Sequence, residues 1–213
     1  MDRRQAIKNL GLGAGFLVVT PTIMSLLQSC TNEVEFTPLF ISKGEGHALR
    51  RMVDLIIPSD AKVPGAVDVG VHSFIDSYWN SVIVEDQQAQ VKIGFKLLAE
   101  KFRSTFNKEL EDGKAEDFDQ LLATYLKTSK DEQKAYNKKM RQFYVAFEND
   151  PNVLPDAEAG VYSLLANIRS MTIWGWKESE EIGENVLWYD PIPGQQKGCI
   201  PLSEAGNGKV MSL

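Results

Sequence analysis

The sequence predicts an all-α fold: an irregular bundle of about six amphipathic helices, closed by a long C-terminal strap rich in Pro, Gly and aromatic residues. Three observations predict it. Apolar residues recur at three- and four-residue steps through successive stretches between Ser42 and Met171. Ser or Asp start signals precede several of those stretches. Between Phe40 and Trp176 the sequence shows no sustained apolar–polar alternation and no repeat of solenoid length.

Taken in order, Ser42 and Glu45 have capping-box spacing and start a helix that runs to Ile57, with Leu49, Met52, Val53 and Ile56 as its buried stripe. Pro58 lacks an amide hydrogen and disfavours helical geometry at Ile57, so the helix stops there. Pro64-Gly65 marks a tight turn. From Val67 onward, Val67, Val71, Phe74, Ile75, Tyr78 and Val82 share one helix face, and Asp68, His72 and Asp76 lie along its flank. A long third helix carries Val91, Phe95, Leu98, Phe102 and Phe106 and ends near Asn107. The polar connection from Glu109 to Lys114 leads to a fourth, with Phe118, Leu121, Leu122 and Tyr125 on one face. Ser129 and Glu132 form a second capping box, ahead of a helix carrying Tyr136, Met140, Phe143, Tyr144 and Phe147. Asn149-Asp150-Pro151 breaks that helix, and Asp156 caps a sixth with Val161, Leu164, Leu165, Ile168 and Met171 in line. The helical region is thus expected over 42–176 and the strap over 177–213.

The first 29 residues read as an export signal, not as part of the fold. Arg3-Arg4 followed by Lys8 resembles the twin-arginine pattern, with Ala6 where a large apolar residue is usual. The apolar run from Leu10 to Leu27 approaches the roughly 18–20 residues of a membrane span. Its interruptions at Gly11, Gly13, Gly15 and Pro21, and the cysteine that ends it, favour a cleavable signal. Leu27-Gln28-Ser29-Cys30 resembles a lipobox, so Cys30 is expected as a lipidated N-terminus and residues 30–41 as a tether. The protein is then exported, periplasm-facing and membrane-anchored. Gly11-Leu12-Gly13-Ala14-Gly15 is not a dinucleotide loop, because it lies in the segment that export removes and not in a βαβ unit.

Composition narrows the function. The formal charge of −6 falls to about −8 without the signal, and an acidic chain with no basic cluster is a poor nucleic-acid binder. There are two histidines, His47 and His72, on different helices and in no metalloprotease spacing, which excludes a three-His zinc site. Asp68-His72 or His72-Asp76 supplies two ligands on adjacent turns without a third; a hydrogen-bonded histidine beside the core is the stronger reading. Cys30 and Cys199 cannot ligate an iron–sulfur cluster, and there is no haem-attachment motif, nucleophile elbow or P-loop. With Cys30 acylated, Cys199 is either buried and inert or available at an interface. Acidic runs at Glu109–Asp112 and Glu178–Glu181 read as solvated faces.

From Trp174 the chain becomes dense in Gly, Pro and rings, with turns at Asp190-Pro191 and Pro193-Gly194. Trp176, Trp188 and Tyr189 argue for an ordered strap. Its motifs are Ser179-Glu180-Glu181-Ile182-Gly183, then Tyr189-Asp190-Pro191-Ile192-Pro193-Gly194, then Gly198-Cys199. Upstream stand Ile56-Ile57-Pro58, then Pro64-Gly65-Ala66, then Asp68-x-Gly70-Val71-His72-x-Phe74-Ile75-Asp76. In this order the motifs resemble the gluconate 2-dehydrogenase subunit 3 family across most of the mature chain. The resemblance implies a non-catalytic accessory subunit, with no cofactor of its own. Its implied partner is a large FAD-dependent dehydrogenase of the glucose–methanol–choline oxidoreductase type, which oxidises a sugar or sugar acid; a cytochrome c subunit is a further candidate. The small subunit's twin-arginine signal would then carry the folded flavoprotein out with it. The partner interface is expected at Pro64, Gly65, His72, Asp76, Trp174, Trp176, Trp188, Tyr189, Asp190, Pro191, Pro193, Gly194 and Cys199, the last as a small buried thiol. A second reading is a lipid-anchored binding module whose Trp174, Trp176, Trp188 and Tyr189 form a sugar- or protein-docking surface.

Overall fold

The computed structural model describes residues 36–192, 194, 195, 198–201 and 203–212, and its folded body begins at Thr37. Arg3, Arg4, Lys8, Cys30 and Pro193, singled out above, lie outside the described residues. Six α-helices follow one another: α1 (Lys43–Ile56), α2 (Val71–Ser81), α3 (Glu85–Phe106), α4 (Ala115–Leu126), α5 (Lys130–Asn149) and α6 (Ala157–Lys177). One turn of π-helix, Glu181–Val186, opens the strap. Among the described residues the only β pairing is a single parallel bridge between Trp188 and Met211. The fold is an irregular all-helical bundle.

The helix starts follow local chemistry. Ser42 Oγ accepts from the Glu45 amide while Glu45 Oε2 accepts from the Ser42 amide. Ser129 and Glu132 repeat that exchange at the start of α5. The Asp156 carboxylate accepts from the Ala159 amide at 3.0 Å and caps α6. Each pairing satisfies donors that the first helical turn would otherwise leave open.

α2 starts later than the apolar spacing suggests. Gly70 caps it in the left-handed region (φ 74°), so Val67 belongs to the preceding turn and Val82 to the helix's C-terminal end. In the connection before α4 the acidic residues Glu109, Glu111 and Asp112 are exposed, as expected of a solvated face. Leu110 is buried in a short 3-10 turn, and Glu109 accepts two hydrogen bonds from Arg103, at 2.6 and 2.7 Å.

α6 is the central helix and packs on all five others. Its sequence explains why. Over its 21 residues only Glu158, Arg169 and Lys177 are charged, and it buries Val161, Tyr162, Leu164, Leu165, Ile168 and Thr172 around more than one face. Its first turn is tied down by charge: Glu158 accepts from Lys101 Nζ on α3 at 2.7 Å and from the Tyr125 hydroxyl on α4 at 2.6 Å. Lys101 first, then Tyr125, holds the Glu158 carboxyl below its usual range. Burial, reinforced by that carboxylate, pushes the Tyr125 hydroxyl far upward. α5 packs chiefly on α6 and makes a satellite core of Met140, Phe143 and Phe147 with Ala159.

Candidate functional surface

The corner between α1 and α2 is built from short-range hydrogen bonds. The Asp60 carboxylate accepts from the Lys62 and Val63 amides at 2.7 and 2.9 Å. Asp68 accepts from the Ser59 hydroxyl and from the Gly65 amide. Those bonds hold both carboxyls below their usual range: the Lys62 amide leads at Asp60, and the Ser59 hydroxyl leads at Asp68. The Ala66 amide returns to the Ile57 carbonyl at 2.9 Å, and Trp176 Nε1 on α6 donates to the Pro64 carbonyl at 2.9 Å. Gly65 has no alternative here, since a Cβ would stand 2.5 Å from the Ser59 amide nitrogen.

α2 leaves this corner with two different faces. Inward, Asp76 is 1 % exposed. It accepts from three successive amides of the entering chain, Leu39 at 2.6 Å, Phe40 at 3.1 Å and Ile41 at 3.2 Å. The end of the expected tether is thereby fastened to the bundle. His72 is also buried. Outward, α2 shows Ser73, Phe74, Ser77, Asn80 and Ser81, with no charged side chain among them.

Phe74 and Tyr78 meet Trp174 of α6. Ring centroids lie 5.2 Å apart for Phe74–Trp174, 5.7 Å for Tyr78–Trp174 and 5.9 Å for Phe74–Tyr78. Gly175 allows this approach, because a Cβ there would lie 2.9 Å from the Phe74 ring. Trp174 and Ile173 are each 44 % exposed and Phe74 38 %. Tyr78 also borders a cleft of about 350 Å³ between α3, α5 and α6. Trp79, Phe143 and Tyr144 give the cleft aromatic walls, and Gln87, Gln90 and Asn167 give it amides. Tyr144 and Ser163 share a hydrogen bond of 3.2 Å at its edge.

The strap folds back on itself. Ile182 is fully buried in the π turn, and the Leu187 amide donates to its carbonyl at 2.9 Å. The Trp188 amide donates to the Val210 carbonyl at 2.9 Å, and the Ser212 amide to the Trp188 carbonyl at 3.0 Å. Tyr189, Pro191, Ile192, Gly194, Cys199 and Ile200 face outward. Cys199 is therefore an exposed thiol in this chain, not a buried one.

The residues singled out in the sequence thus separate into two groups. Pro64, Gly65, His72, Asp76 and Trp176 lie wholly or partly inside the fold and shape the corner, while Trp188 and Asp190 are half-buried in the strap. Trp174, Tyr189, Pro191, Gly194 and Cys199 are at the surface. Sequence reasoning placed Phe74 on one helix face with Val71, Ile75 and Tyr78 and missed its exposure, and it missed the cleft altogether. One signal was available: the polar residues of α2 that flank its aromatics are Ser and Asn, not the Lys and Glu of a solvated helix. Among the described residues no group of three or more His, Cys, Asp or Glu is placed to hold a metal ion.

The model of a known family, gluconate 2-dehydrogenase subunit 3, matches residues 43–194. The match runs from the first residue of α1 through the central corner and all six helices to Gly194, and stops short of Cys199. No curated protein and no solved structure gives a match.

Proposed function

Because the chain belongs to the gluconate 2-dehydrogenase subunit 3 family, we propose that it is the non-catalytic accessory subunit of an exported FAD-dependent dehydrogenase. The large subunit is of the glucose–methanol–choline oxidoreductase type, holds the flavin and oxidises a sugar or sugar acid. This chain supplies the twin-arginine signal, aids assembly, and attaches the complex to the membrane through lipidated Cys30. A cytochrome c subunit is a further partner on the path of the electrons.

The observation that carries the reading is the family match across the whole helical body. The strap supports it. Tyr189, Ile192 and Ile200 leave apolar surface uncovered, Ile192 being 86 % exposed, on a backbone already restrained by its own hydrogen bonds. A segment ordered before contact loses less freedom on docking. Purification from membranes in gentle detergent tests the proposal. The expected result is a yellow flavoprotein in equal amount, with sugar or sugar-acid dehydrogenase activity. A colourless chain purified alone from cells that also contain the active flavoprotein would overturn it.

A further inference from the structure

The outward face of α2 is unlike the rest of the surface. In a chain that is 24 % charged, the only acidic or basic side chains of α2 are those of His72 and Asp76, and both are buried. By contrast α5 exposes Lys138, Lys139, Arg141 and Glu148. Beside α2, the C-terminal part of α6 adds Ile173 and Trp174, both well exposed. The three rings of Phe74, Tyr78 and Trp174 are held against one another, so the platform exists before anything binds. It continues past Tyr78 into the cleft, none of whose lining residues is charged. The α2 face and the cleft form one ring-lined surface without charge, and the exposed Arg169 and Lys177 of α6 flank it beyond Ile173 and Trp174.

We propose that this surface is the central contact with the large subunit. The partner lays an uncharged apolar segment across Phe74, Tyr78 and Trp174 and seats one bulky side chain in the cleft. The inference deepens the accessory-subunit reading and rests on it. Charge selects the occupant. Over α2 and the cleft a charged segment would lose its hydration and find no opposite charge. A lipid surface would be met by a cluster of basic residues around the apolar ones; here α2 offers Ser and Asn, and α6 adds only Arg169 and Lys177 at the edge. The cores of protein interfaces are depleted of charge and enriched in aromatic residues and Met, with anchors in water-excluding pockets. Met171, one turn before Trp174, lines the cleft and completes that composition. The cleft's amides, at Gln87, Gln90 and Asn167, can pair with the polar backbone of the incoming segment.

The test uses the full chain co-expressed with the proposed flavoprotein partner, and measures the affinity of the two purified subunits. The double variant Phe74→Ser/Trp174→Ser removes the platform, and Asn167→Trp fills the cleft from an exposed position. All three replaced side chains are solvent-exposed, so unchanged helical circular dichroism and melting are expected. The platform variant should weaken binding by about thirtyfold or more, the scale of an aromatic hot spot. Asn167→Trp should weaken it by about tenfold. Wild-type affinity in both variants would overturn this proposal alone and leave the accessory role standing. A wild-type chain that binds no flavoprotein would overturn the accessory role and this surface with it. If the platform variant instead abolished self-association and kept the flavoprotein, the face would belong to a second copy of the chain, which also overturns the proposal.

Discussion

At the scale of single residues, Asp76 shows how one buried carboxylate fixes where a chain enters its domain. It is the acceptor for three consecutive amides, those of Leu39, Phe40 and Ile41. Asp76→Ala should therefore destabilise the domain by about 3 kcal/mol, since unmet donors away from water cost about 1–3 kcal/mol each and water reaches part of this site. Asp76→Asn, which keeps one acceptor oxygen, should fall between the two. Urea unfolding checks the order, and an unchanged midpoint in Asp76→Ala would refute it. Glu158 makes a pH-dependent contribution. Lys101, then Tyr125, lowers its folded pKa below the ordinary 4.5. Its stabilisation is then complete above that unfolded value and is lost as pH falls through the lower folded value. Glu158→Gln should melt below wild type near neutral pH, and the gap should shrink as the pH falls below 4.5 and through the lower folded value. A gap that stayed constant through this range would assign the effect to packing.

At the scale of elements, the caps were legible because their signals lie within four residues of one another. Ser42 with Glu45, Ser129 with Glu132, and Asp156 each act within a single turn. The late start of α2 was not legible in the same way. The apolar spacing extends back to Val67, but Asp68 is committed to Ser59 and Gly65, and Gly70 takes a left-handed turn. Periodicity also tells which residues share a face without telling what covers it. Phe74 shares the stripe with Ile75 yet stands at its open edge, because α6 passes on one side only. The strap raises the same question about cover. Its π turn buries Ile182, whereas Trp188 is bonded through its backbone to Val210 and Ser212 of the same strap. Truncation after Leu187 should keep the helical circular dichroism and cost less than about 1 kcal/mol, while weakening the hold on the flavoprotein. A large drop in melting temperature would show that the strap is part of the core instead.

At the scale of the whole molecule, two connections meet on one helix. The inward face of α2 grips the entering chain through Asp76, and its outward face carries Phe74 and Tyr78. α2 has 11 residues, a rod of about 16 Å. The route to the proposed lipid anchor and the proposed partner contact are therefore separated by little more than the width of that rod. Such an arrangement suits a subunit that must deliver a folded partner. In the proposed role the pull of export would enter at Leu39–Ile41 and reach the proposed docking face through one short, well-packed element. Replacing Arg3 and Arg4 by Lys should strand both this chain and its flavoprotein in the cytoplasm, as fractionation and flavin absorbance would show. Cys30→Ala should leave export intact and loosen only the attachment to the membrane. The two variants separate delivery from anchoring, because each removes one proposed function of the N-terminal segment and leaves α2 untouched. If the twin-lysine variant still placed active flavoprotein outside the cytoplasm, the large subunit would have a route of its own, and the grip of Asp76 would serve the fold alone.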